Sequence, residues 1–264
     1  MYLKSLLLIP LLAIPVVAPL CAYAAPKGET ASAPQASQES EGDPRSIELN
    51  EKGVAAVKAR NLKQAEDFFR RSLATDTKNL TAVVNLAAIY MTLRRVPEAI
   101  SLLEEYSSKY QQDPALYARL GDAYFAGKKI RESVSAYEKA LVLDPHFPNV
   151  ASRLGTVYAL TNRLHDAERM FLQAVEENPR DAQTLASLSS LFLGNGKPQL
   201  AVSTAKRALQ VKPTKEVYVT LGSAYELLKD FKNSLIAFQR AQDLGESSAE
   251  VKEKVTALER LSAS

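Results

Sequence analysis

Small and large apolar residues recur along this chain with a long period. Gly121-Asp-Ala-Tyr124 returns as Gly155-Thr-Val-Tyr158 after 34 residues, and Gly222-Ser-Ala-Tyr225 follows after a further 67. A repeat of that length is a pair of helices and their turns. On this period the chain divides into units at 46–79, 80–113, 114–147, 148–181, 182–214 and 215–247. The first helix of each unit carries a small residue in one column: Gly53, Ala87, Gly121, Gly155, Ser189 and Gly222. The second carries Ala65, Ala99, Ser133, Ala167, Ala201 and Ser234. Large residues follow each column at a fixed offset, Tyr90, Tyr124, Tyr158, Phe192 and Tyr225 after the first, Phe69, Leu103, Tyr137, Phe171 and Phe238 after the second. Glycine inside a helix costs about 1 kcal/mol relative to alanine, so its recurrence predicts a close approach of paired helices that recovers the loss. Ala140, Ala174, Ala208 and Ala241 keep the contact to the following unit close, and Pro145, Pro179 and Pro213 stop the second helices.

With these columns in place, LGDAYFAGKKIRESVSAYEKALVLDP at 120–145 and LGTVYALTNRLHDAERMFLQAVEENP at 154–179 resemble the tetratricopeptide repeat family, a likeness that extends from Ser46 to the C-terminus. The resemblance implies an all-α fold, a right-handed α-α superhelix (solenoid) of about six helix pairs at 46–247, plus a C-terminal capping helix. Lys52 and Ala56 replace large apolar residues in the first unit, as suits a terminal helix with no predecessor. Tyr106 stands where alanine is usual and 107–113 lacks the terminating proline, which predicts an irregular junction between the second and third units. After Gly245, Ser247 and Glu250 form a capping box, and Val251, Val255, Leu258 and Leu261 make one apolar stripe. The segment 248–264 is therefore expected to be a helix covering the open face of the last unit.

The first 45 residues differ from the rest. Six of the 13 prolines fall there. Lys4, the apolar stretch Ser5–Leu20 and the triplet Ala22-Tyr23-Ala24 read as a signal peptide over 1–24, cleaved after Ala24, which makes the protein exported, periplasmic or secreted. Two alternatives place it at a membrane: an uncleaved anchor, opposed by three prolines, and a lipoprotein acylated at Cys21, opposed by Leu20 before the cysteine. The segment 25–45 lacks Leu, Ile, Val and aromatic residues up to Arg45 and is expected to be a disordered linker.

Composition narrows the chemistry. The 264 residues are 46% hydrophobic and 24% charged, with a net charge of +3, one Cys and two His. That balance gives no field calling for nucleic acid and almost no material for disulfides or structural zinc. Gly194-Asn195-Gly196-Lys197 mimics a phosphate loop, but Leu191 and Pro198 occupy its required Gly and Ser/Thr positions, so it reads as a turn. His146 and His165 have no ligand-spaced partners, and the carboxylates lie among Lys and Arg on helix faces. No catalytic residue, metal site or cofactor is expected.

The resemblance implies that the first helices line a concave groove. Its facing positions are Val84, Ala88 and Met91 in the second unit, then Ala118, Arg119, Asp122 and Phe125 in the third. Further along they are Arg153, Ala159 and Leu160, then Ala186 and Leu193, and lastly Val219, Glu226 and Leu227. So apolar a surface fits an apolar or amphipathic peptide. The carboxylate clamp of some family members is matched only at Asn85 and Arg119, since Asn50, Val54 and Ala115 fill its other places. Arg119 and Arg153, one period apart, are candidates for gripping an acidic group. The expected role is a non-enzymatic scaffold for a protein or peptide partner during assembly of an envelope complex (pilus, secretion or wall machinery). The alternative is self-association, with the end of one protomer in the groove of the next.

Overall fold

The computed structural model describes residues 42–262. The signal peptide, Cys21 and all but the last four residues of the expected linker lie outside the described residues. Thirteen α-helices and no strand are found among the described residues. They run as α1 (Pro44–Lys58), α2 (Leu62–Thr75), α3 (Leu80–Thr92), α4 (Val96–Lys109), α5 (Pro114–Ala126) and α6 (Ile130–Leu143). There follow α7 (Val150–Leu160), α8 (Leu164–Glu177), α9 (Ala182–Gly194), α10 (Pro198–Val211), α11 (Lys215–Leu227), α12 (Phe231–Asp243) and α13 (Ala249–Ser262). Odd-numbered helices up to α11 are the first (A) helices of the pairs and even-numbered ones the second (B) helices. The protein is an all-α helical superhelix.

Within each pair the small column and the large residues fit one another. A Cβ added to Gly121 would lie 2.5 Å from the ring of Tyr137, and one added to Gly155 or Gly222 would lie 2.9 Å from Phe171 or Phe238. The ring of the B helix therefore rests directly on the backbone of the A helix, which is why glycine is retained against helix propensity. Where the B helix carries a smaller residue, the A helix carries a larger one: Ala87 accompanies Leu103, both fully buried. The small B-helix serines also bond across the pair, Ser133 Oγ to the Gly121 carbonyl and Ser234 Oγ to the Gly222 carbonyl, both at 2.9 Å.

Every A helix ends in the same way. The residue two past its last helical position takes a left-handed conformation at Arg60, Arg94, Lys128, Asn162, Gly196 and Lys229. Its N–H and the next one bond back into the last turn, as Arg60 to the Val57 carbonyl and Asn61 to the Ala56 carbonyl. These paired bonds satisfy carbonyls the helix would leave open and reverse the chain into the B helix. The phosphate-loop mimic is one of these turns, with Gly196 at φ 67 and Lys197 at the N-cap of α10.

Four boundaries differ from the sequence expectation. The first helix starts at Pro44 rather than Ser46, because Asp43 accepts hydrogen bonds from the Arg45 and Ser46 N–H groups and Pro44 suits the first helical position. The cap of α13 is Ser248, whose hydroxyl accepts from the Val251 N–H, not Ser247. The junction after Tyr106 is regular: Tyr106 is buried, its ring stacks on Tyr110, and Asp113 caps α5 through the Leu116 N–H. The chain divides instead after α6, into compact units at 42–147 and 148–262. Pro145 and Pro148 bracket that connection, and α7 begins only after Asn149 in a left-handed conformation.

Each unit has its own terminal device. In 42–147, the Ser46 and Ser72 hydroxyls lie 2.9 Å apart, each bonds to the other's backbone carbonyl, and Asn79 Nδ2 donates to both. This knot fixes the start of α1 against the end of α2. In 148–262, Val251, Val255 and Leu258 of α13 are buried with Phe238, and Val219 and Leu235 pack against the cluster. The C-terminal helix thus occupies the place a further A helix would take.

Candidate functional site: the inner face of the A helices

Curvature follows from which helices touch. Within each unit successive A helices pack on one another, α3 on α5 and α9 on α11, and B helices pack on the next A helix, α2 on α3, α4 on α5, α8 on α9 and α10 on α11. Successive B helices form no comparable interface. Stacking that is tighter along the A side bends each unit so that its A helices line the inner face.

In residues 42–147 this face has a polar floor and an apolar end. Asn85 Nδ2 donates to Asn50 Oδ1 at 3.1 Å, with both side chains buried. Arg119 pairs with Asp122 at 3.1 Å, the two side chains only 14% and 12% exposed, and the Tyr137 hydroxyl donates to the other Asp122 oxygen at 2.7 Å. The two residues that match the carboxylate clamp are therefore already engaged with neighbours in their own chain, and Asp122 places a negative charge where a clamp needs a positive one. Val84 and Ala118 are buried and serve as wall. Ala88, Met91 and Phe125 stay partly exposed, on adjacent A helices, and form the apolar end.

In residues 148–262, Arg153, Ala159 and Leu193 are partly exposed and Ala186 is buried. Leu160 and Leu227 are exposed at 43% and 58%. Val219 and Glu226, expected to face a partner, face α13: Val219 lies against its apolar cluster, and Glu226 pairs with Lys254. The Lys254 ammonium also sits 5.4 Å above the Phe238 ring. The available surface in this unit therefore narrows to α7, the end of α9 and the end of α11.

Two features escaped the sequence reading. Asn50 departs from the clamp, but its place one period from Asn85, offset by one, is the signal of a cross-helix amide pair. The second is a cation over a ring at nearly every A–B turn: Arg95 over Tyr90 at 4.5 Å, Lys129 over Tyr124 at 5.6 Å, Arg163 over Tyr158 at 4.1 Å and Lys197 over Phe192 at 5.8 Å. Its signal is a basic residue five positions after each aromatic. Among the described residues no group of three or more His, Cys, Asp or Glu is gathered to hold a metal ion, and no helix is long and apolar enough to cross a membrane.

Comparison with known proteins agrees with this geometry. Three models, described as tetratricopeptide repeat or TPR repeat, match residues 56–123, 121–162, and 153–210 with 186–249. Anaphase-promoting complex subunit 3 of Schizosaccharomyces pombe is 24% identical over 137 residues, covering 52% of this chain and 21% of the relative. The chain therefore spans about a fifth of that relative's length. Among solved structures, Pseudomonas aeruginosa pilF superposes with a TM-score of 0.71 at 16% identity, over 79% of this chain and 96% of that one. YrrB, described as a TPR protein with an unusual peptide-binding site, gives 0.62 at 17% identity, over 70% and 96%. The fold supports a role in protein–protein interaction, and with matches running almost without interruption from residue 56 to 249, this chain belongs to the tetratricopeptide repeat family.

Proposed function

We propose that this protein is an exported, non-enzymatic adaptor that holds an apolar or amphipathic segment of a partner on the inner face of its A helices, during assembly of a cell-envelope complex. The observation that carries this reading is the partly exposed apolar end formed by Ala88, Met91 and Phe125 beside a polar floor whose hydrogen bonds and ion pair are internally engaged. A face whose charges are already paired offers a partner little except apolar burial, at roughly 25 cal/mol per Å² before the costs of association. YrrB, of similar fold, is described with a peptide-binding site, and the anaphase-promoting complex subunit is by its name part of an assembly. The export reading rests on the sequence of residues 1–24. Open-ended stacking of protomers is disfavoured because α13 covers the last pair with its apolar side and turns Lys252, Glu253, Thr256 and Glu259 outward.

Met91→Glu combined with Phe125→Glu tests the reading. The pair should abolish recovery of partners in a pull-down from the native envelope while the helical circular dichroism stays unchanged. Retained recovery by a folded double variant would reject the inner face as the binding surface.

A further inference from the structure

The A–B turns of residues 42–147 make one continuous edge. Arg95 of the second turn reaches Glu66 at the start of α2 at 2.9 Å, and Gly127 of the third turn packs on Val96 and Ile100 at the start of α4. The segments that form this edge, 58–63, 92–97 and 126–131, hold eight Lys or Arg and no Asp or Glu. The opposite edge, at 75–80, 109–114 and 143–148, holds two Lys and three Asp. The equivalent turns of the other unit, 160–165, 194–199 and 227–232, hold four Lys or Arg and one Asp, and two of those cations, Arg163 and Lys197, pair with Asp166 and Glu168.

Most of the basic edge has no counter-charge. Glu66 and Glu98 are taken by Arg95, and Asp67 by Arg71. That leaves Glu132 as the nearest carboxylate in sequence. Lys58, Arg60, Lys63, Arg94, Lys128 and Arg131 form no ion pair among the described residues. Arg60, Arg94 and Lys128, spaced 34 residues apart, also occupy left-handed backbone positions at φ 59, 61 and 59. Glycine takes that conformation at no steric cost, and the equivalent turns of the other unit carry Asn162, Gly196 and Lys229. Three successive long cations at positions where folding favours glycine indicate a use outside the fold.

We propose that this edge is an attachment surface for an anionic lipid bilayer. The contacts that join successive turns place them side by side, and the spacing of packed helices sets them about 10 Å apart. A row of this kind meets a plane of phosphates without demanding a matching shape. Each turn also brings a half-buried aliphatic side chain to the edge, Leu62, Val96 and Ile130, suited to the headgroup boundary. The edge is separate from the inner face, so the failure of either reading leaves the other standing.

The test mixes the chain from Ala25 onward, which contains every described helix, with phosphatidylcholine vesicles lacking or containing phosphatidylglycerol, and with polyglutamate. Partitioning to the anionic vesicles only, and its loss at high salt, is expected. Replacing Arg60, Arg94 and Lys128 together by glycine should lower that partitioning about a hundredfold. The same variant should melt a few degrees higher, since the left-handed strain is relieved. A merely structural role for the three cations predicts a lower melting temperature instead. Equal binding to both vesicle types, unchanged binding by the variant, or binding to polyglutamate without vesicles (which would indicate an acidic protein partner) each overturns the proposal.

Discussion

Phe238→Ala is expected to lower the unfolding free energy by about 3–5 kcal/mol, the cost of emptying a fully buried aromatic site that cannot collapse. Phe238 has no exposed surface, and it serves two contacts at once. The ring lies against Gly222 of α11 and clusters with Val251, Val255 and Leu258 of α13. Removing it therefore unseats the C-terminal helix as well as opening the last pair. Amide exchange should accelerate first in α13 and then in α12, well before α8 and α9. Phe231→Ala is the control. At 43% exposed its loss should change stability by no more than about 0.5 kcal/mol. A Phe238→Ala protein that melts with its parent, or one whose α13 remains as protected as before, would contradict the packing described here.

Gly121→Ala is expected to destabilise by about 1–3 kcal/mol, against the roughly 1 kcal/mol that alanine gains in helix propensity. The added methyl would lie 2.5 Å from the ring of Tyr137, which cannot retreat because its hydroxyl is held 2.7 Å from Asp122. Displacing the ring breaks that bond and loosens Asp122 from Arg119, so the effect reaches the inner face. The second pair already shows the compensated solution, Ala87 with Leu103. Gly121→Ala together with Tyr137→Leu should accordingly cost less than the sum of the two single changes, and thermal or denaturant melts of the four proteins measure the coupling. Strict additivity would mean that the two positions do not share the close contact.

These two predictions rest on the part of the fold that is written most plainly in the sequence. A glycine and a ring in contact must be chosen together, so their complementarity leaves a mark in two columns at a fixed distance, and the 34-residue spacing follows. The ends of elements are less legible. Asp43-Pro44 and Ser248 cap helices through single side-chain oxygens, and a neighbouring serine such as Ser247 offers the same oxygen one position away. The division after α6 was also hidden, because Pro145 is the ordinary helix-stopping proline of the repeat and Pro148 differs from its surroundings by one residue.

The inner face was legible only as a list of positions. Which of them are open depends on what packs beside them. Val84, Ala118 and Ala186 are covered by adjacent helices. Val219 and Glu226 occupy positions equivalent to Val84 and Met91, one and the other now set against α13 by its cluster and by Lys254. Arg119 looked like a free cation until Asp122, three residues on and one helical turn away, closed on it. Spacing alone assigns a side chain to a face of its helix, but the neighbouring helix decides whether that face is wet.

Site-specific crosslinking in the cells that make the protein tests the central claim most directly. A photo-reactive residue is placed at Met91 on the inner face of α3, and in a second protein at Val142, which is 75% exposed on α6. The inner-face position is predicted to trap a distinct polypeptide on irradiation and the α6 position to trap none. Partner adducts from Val142 with none from Met91, or adducts from Met91 that consist only of a second copy of this chain, would contradict capture of a partner by the A helices.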